Sequence, residues 1–323
     1  MSKLKAFVVL FLIISSSVLA QRDPQYSMNF YNQLAFNPGY AGSNDAICAV
    51  MLYRNQWMGF DGTPKTMAFS VHGPIESISS GVGLSILQDK AGFGKDFLLN
   101  LDYAYKMELG DGKLGLGLGL GLINRSLDGE WESPDVLWGN TQNAYDDPLI
   151  PHSGSHFSFD SNFGAFYIVD DKDHAYYAGL SITHLNKPQV KIDKENTEFH
   201  SYFARHLYLS GGYNYALPNG IIDVQPMFIL QTDGVSAQYN FNLRAVYQKQ
   251  FWGGISYRVS DAIVPMIGAN LAKPAGLGIG VAYDITLSNI AEYSDGSIEF
   301  YLRYCFNIES SGDRGTYKSV RFL

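Results

Sequence analysis

Residues 112–124 read GKLGLGLGLGLIN, with glycine set against leucine at every second position. In an extended segment successive side chains point to opposite faces. Leu114, Leu116, Leu118, Leu120 and Leu122 then share one face, and Gly115, Gly117, Gly119 and Gly121 the other. A helix would spread those leucines around its circumference, and each interior glycine would cost about 1 kcal/mol relative to alanine. The segment is therefore a strand. The same two-residue period recurs upstream, where Phe97, Leu99, Leu101, Tyr103, Tyr105 and Met107 oppose Asn100, Asp102, Lys106 and Glu108. It returns with Tyr239, Phe241, Leu243, Ala245 and Tyr247 against Gln238, Asn240, Asn242, Arg244 and Gln248. The last instance sets Phe300, Leu302, Tyr304 and Phe306 against Glu299, Tyr301, Arg303 and Cys305.

Fourteen such segments follow one another, beginning near Ile47, Thr66, Ser80, Lys95, Lys113, Ser155, His174, His200, Ile221, Val235, Phe251, Ala262, Gly276 and Ser297. Most are of the length that a tilted strand needs to cross a bilayer, and the number is even, as in bacterial single-chain barrels. The connections alternate. GPIES, LGDG, VDDKD, LPNG, KQ and AKPA are tight, whereas the other set contains the two longest, 126–156 and 187–199. A soluble β-sandwich explains any one strand but not this short/long alternation. The expected fold class is all-β: a transmembrane antiparallel β-barrel of about 14 strands, with a plug-like N-terminal segment.

Composition fits that reading. Residues 1–20 carry Lys3 and Lys5, an apolar stretch and small residues Val18 and Ala20, the parts of a secretory signal peptide. Removing them takes the formal charge from −8 to −10, and an acidic chain without basic clusters argues against nucleic acid. No later run of about 18 apolar residues offers a membrane helix. The expected organisation is a signal peptide (1–20), a plug or periplasmic segment (21–45), the barrel (46–307) and a periplasmic tail (308–323).

The segment before the first strand does not alternate, yet it holds Tyr26, Phe30, Tyr31, Phe36 and Tyr40. Such aromatic content fits a plug in the barrel mouth, or an extension lying on the periplasmic rim. Fourteen strands enclose more space than inward side chains fill. Gly115, Gly117, Gly119 and Gly121 on the inward face then leave room for water, a substrate or a plug, unless they only accommodate a bend.

The stretches DPQYSMNFYNQLAFNPGYAGS, YRNQWMGFDGTPKTMAFSVHGPI and GSIEFYLRYCFNI resemble the PorP/SprF family, outer-membrane proteins of type IX secretion in the Bacteroidetes. Gly39 stands where the family usually has alanine. The resemblance implies a role in protein export, handling or anchoring a dedicated secreted surface protein or adhesin. Its implied partners are a cargo with a C-terminal sorting domain, other secretion-system or periplasmic lipoprotein components, and outer-membrane lipid. A passive channel or apolar-solute transporter is the alternative, although the inward Arg244, Arg258, Arg303, Asp102, Asp223 and Glu299 form no basic ladder.

Trp57 and Phe60 in the first outer loop, and Trp131 and Trp138 in the long one, are candidates for protein contact, since surface Trp often anchors interfaces. Their bland role is packing into the barrel mouth. Closure would make Cys48 and Cys305 neighbours at the periplasmic end on the inward face, as a disulfide or as two small unpaired thiols. No enzyme, cofactor or metal is expected. There is no nucleophile elbow. His152 and His156 flank turn residues without a third ligand, and Asp170–Asp173 lacks the glycine and distal glutamate of a calcium loop. His72, His184 and His206 share strand faces with polar neighbours, and GLGIG lies within a strand with no helix after it.

Overall fold

The computed structural model describes residues 23–44, 46–127, 154–170, 174–194, 197–218, 220–271 and 276–307. Trp131 and Trp138 lie outside them, as do most of the long loop and residues 1–22 and 308–323, where the signal peptide and tail are expected. The strands are β1 (Ala46–Asn55), β2 (Lys65–Ile75), β3 (Ser80–Ala91), β4 (Gly94–Leu109), β5 (Gly112–Leu127), β6 (Gly154–Val169), β7 (His174–Thr183) and β8 (Gln189–Lys194). There follow β9 (Thr197–Tyr202), β10 (His206–Ala216), β11 (Ile222–Thr232), β12 (Ala237–Tyr247), β13 (Phe251–Arg258), β14 (Ala262–Asn270), β15 (Leu277–Thr286) and β16 (Ser297–Asn307).

Fourteen of them form one closed antiparallel barrel, each beside its chain neighbour except that β7 pairs with β10 and β16 closes on β1. The eighth barrel strand begins at His206, not near His200. Residues 197–202 alternate, as a barrel strand would, but they pair with β8 as a separate hairpin. The reason is Phe203, which turns inward to pack with Val190 and the inward-facing Leu98 and Ile123.

The faces are inverted relative to a soluble barrel. Leu118 and Leu120 are 59% and 57% exposed on the outside, whereas Asp102, Asn162, Asp284 and Glu299 are buried on the inside. An apolar exterior around a polar interior suits a lipid surround. At the closing seam Cys48 stands directly opposite Cys305, with their Cα atoms 4.0 Å apart, and a disulfide joins them. Of the two arrangements open to these cysteines, the structure adopts the bonded one.

β1 begins at the end of the barrel bearing the short turns, such as 110–111 between β4 and β5. It stops at the end where 56–64, 184–205 and 287–296 connect strands. Outer-membrane barrels face their longer connections outward. We refer to these as the inner and outer ends.

Candidate functional site

Residues 23–44 pack against inward-facing side chains from strands on opposite sides of the barrel. Asp23 is near the outer end, beside Thr183 and His184 at the end of β7. Gly42 is near the inner end, where its N–H donates to His72 Nδ1 at 3.0 Å. Three short 3₁₀ turns (Asn29–Tyr31, Gln33–Ala35 and Pro38–Tyr40) compact the chain between them. Asn37 caps the third, accepting from Gly39 N at 2.9 Å.

Two kinds of wall receive this segment. One is charged. Glu299 on β16 accepts the N–H groups of Ser27 and Met28, each at 2.7 Å. The Ser27 hydroxyl donates to Asp284 on β15 at 2.7 Å and accepts from Arg54 on β1 and Arg258 on β13, at 2.6 and 2.9 Å. Arg54 spans Asp284 and Glu299 at 2.6 and 3.1 Å, and Arg258 reaches Asp284 at 3.1 Å. Two cations and two anions, all at most 2% exposed, therefore balance one another while they hold one serine. Alternation alone places Arg258 and Glu299 inward. Asp284 also follows from it, but nothing in the sequence joins them to Ser27.

The other wall is glycine. A Cβ on Gly115 or Gly117 would collide with the backbone of Pro38 and Gly39, and one on Gly81 with Ala41. A Cβ on Gly83 would meet Leu34 at 2.8 Å, and one on Gly164 would meet Asn37. Backbone can approach backbone this closely only where side chains are missing. Gly119 and Gly121 differ. Their inward space is taken by the barrel's own Asp102, 2.6 Å from a Cβ on Gly119, and by Asn100. Of the four inward glycines of β5, two face the N-terminal segment and two face neighbouring wall side chains.

The aromatic residues of the segment are mostly buried. Tyr31 stacks on Tyr301 with ring centroids 4.0 Å apart, Phe30 lies edge-on to Trp252, and the Arg244 guanidinium sits 4.7 Å over Phe30. Phe36 stacks on Tyr208, and Tyr40 meets Phe166 edge-on. Tyr26 is buried in the same cluster as Phe30 and Tyr31.

At the outer end a cavity of about 740 Å³ is lined by Asp23, Gln25, Trp57, Thr66, Asp89 and Asp261 among others. Trp57, half-buried, sits on its wall with a left-handed φ of 54°, and its N–H donates to Ser297 Oγ at 3.0 Å. Phe60 is exposed. The β8–β9 hairpin is tied to the same end by Arg125, which grips Asp96 through two bonds of 2.6 and 2.7 Å and donates to Ser201 at 2.5 Å. Asp23 is held between His184 and His206. Burial alone would raise its pKa, but the two imidazoles outweigh that and hold it well below the carboxylate range. Burial would likewise disfavour the His184 cation, yet Asp23 and Asp160 push that pKa up to about 10.

Residues 18–304 match the family described as type IX secretion system membrane protein PorP/SprF. The chain belongs to that family. It is thus a membrane protein of type IX secretion, and its closed strand order and apolar outer surface fit the outer membrane. No curated protein sequence matches it. Among solved structures it is similar to the CymD monoaromatic hydrocarbon channel, with a TM-score of 0.52 at 10% identity, over 86% of this chain and 92% of that one. It is also similar to the Pseudomonas putida toluene transporter TodX, with a TM-score of 0.47 at 9% identity, over 85% and 93% of the two chains. At such identity the first likeness speaks for the PorP/SprF barrel's fold and not for its cargo.

Proposed function

We propose that this PorP/SprF protein handles or anchors a dedicated secreted surface protein at the outer face of the membrane, with its lumen closed by residues 23–44 acting as a plug. What chiefly supports this is the anchorage of the segment: backbone N–H groups on Glu299, a serine on four buried charges, and a glycine trough shaped to Pro38–Gly39. A solute channel would have to displace this segment or pass beside it to conduct. The outer cavity beside Trp57 offers the cargo a recess, and the acidic balance of the chain favours a partner with a basic contact face.

Affinity purification of the native barrel from outer membranes, paired with single-channel recording of the same preparation, tests the reading. The expected result is a co-purifying secreted protein and no steady conductance. An ohmic pore without a protein partner would overturn it in favour of the passive-channel alternative. Deleting 26–40 should open conductance while the barrel still assembles.

A further inference from the structure

The N-terminal segment is fixed at a second point that the plug reading does not use. Near the outer end Asp23 meets two imidazoles: His184 Nε2 lies 2.9 Å from one carboxylate oxygen and His206 Nδ1 lies 3.3 Å from the other. His184 follows β7 directly and His206 opens β10, so adjacent strands present both rings. Behind His184, its Nδ1 is 3.1 Å from a carboxylate oxygen of the fully buried Asp160. Tyr208 and Thr183 donate to Asp23 at 2.9 and 3.2 Å, orienting the carboxylate. His206 is only 2% exposed, and beyond the Nδ1 contact with Asp23 its Nε2 has no hydrogen-bond partner.

We infer that Asp23, His184 and His206 form a binding site for one divalent transition-metal ion of the zinc class. Two imidazoles and one carboxylate are the donor set such borderline ions take, whereas calcium and magnesium prefer oxygen alone. The geometry agrees. A tetrahedral ion with bonds of about 2.0–2.1 Å sets its ligand atoms about 3.3 Å apart, and the three donor atoms here lie within 4.8 Å of one another. Asp160 behind His184 supplies the carboxylate–histidine pairing that orients metal-bound imidazoles. The Nε2 of His206, buried and without a partner, leaves that ring with no competing hydrogen bond to hold it in place.

Room for a fourth ligand exists. A cavity of about 70 Å³ is lined by Asp23, Asp160, Asn162, His184 and Tyr208, enough for a water molecule. Asp23 also lines the outer cavity, which gives an ion a route in. In the absence of an ion, His184 pairs with Asp23 through Nε2 and with Asp160 through Nδ1, and the ion would take the place of the first contact. The result is a metal staple that would strengthen the contacts already holding Asp23 to the wall.

The test uses the full mature chain, purified in detergent without a polyhistidine tag and stripped with a chelator. Titration with Co²⁺ should show one ion bound per chain, with visible bands of tetrahedral type that Zn²⁺ abolishes. Asp160→Asn should weaken binding about 10–100-fold, and His206→Ala should remove it, while replacing His200, exposed on the β8–β9 hairpin, by alanine should leave it intact. Zn²⁺ should raise the temperature at which the wild-type barrel loses its compact gel mobility, but not that of His206→Ala. Should His206→Ala fail to assemble, Asp23→Asn, which alters no wall residue, replaces it. Substoichiometric binding to the wild type, or equal binding to the variants, would show a proton-linked ion pair only and overturn the inference. Neither outcome bears on cargo capture, so the plug and anchoring reading is judged separately.

Discussion

Gly39 and Gly117 meet backbone to backbone inside the barrel, so closely that a Cβ on either would overlap the other's main chain or that of its neighbours. The glycine face of β5 is therefore half of a fitted contact, and its partner is the chain's own N-terminal segment.

Gly117→Val should displace that segment. We expect a barrel that still shows heat-modifiable mobility but admits antibiotics and conducts in planar bilayers. Gly119→Ala should leave the segment in place in the same assays, because the atoms nearest its Cβ belong to the side chains of Asp102 and Asn162 and not to residues 23–44. Equal effects at both positions would show that β5 tolerates no side chain for reasons of its own twist.

Glu299 carries two N–H groups and one guanidinium, so Glu299→Gln leaves Arg54 with Asp284 as its remaining carboxylate. Removing one partner of a buried ion pair costs about 3–5 kcal/mol, and the retained Asp284 places this case near the lower figure. The thermal transition of the folded band should drop accordingly. Ser27→Ala, which deletes the hydroxyl but no charge, should cost less and still loosen the segment, read as faster protease cleavage within 23–44.

The seam disulfide closes a separation of 257 residues. Replacing Cys48 and Cys305 together by serine should lower stability by about 2–5 kcal/mol. The strand ladder from Ala46↔Asn307 to Asn55↔Ile298 should keep the barrel closed nonetheless. The check is a lowered unfolding temperature with unchanged membrane abundance. Loss of the barrel itself would mean that the bond is needed for closure and not only for its endurance.

Trp57 lines the outer cavity and its backbone is held by Ser297, so truncating the side chain leaves that hydrogen bond in place. Under the anchoring proposal, Trp57→Ala should reduce surface display of the cargo at least several-fold with barrel abundance unchanged, since truncated interface aromatics commonly cost about 2 kcal/mol or more. Parallel loss of display and barrel would instead mark Trp57 as packing of the mouth.

Much of this architecture is written locally. A period of two assigns every residue of a strand to one face or the other, so Leu114–Leu122 outward, Glu299 and Asp284 inward, and the antiparallel meeting of β1 with β16 all follow from short stretches of chain. Cys48 and Cys305 could be placed side by side for the same reason. What each inward residue touches is not local. It depends on strand tilt and stagger, and on the path taken by 22 non-alternating residues through the lumen. Only the tertiary structure decided that Gly117 faces Gly39 while Gly119 faces Asp102, that Phe203 turns inward and frees β9 from the barrel, and that Asp23 meets His184 across 161 residues of sequence.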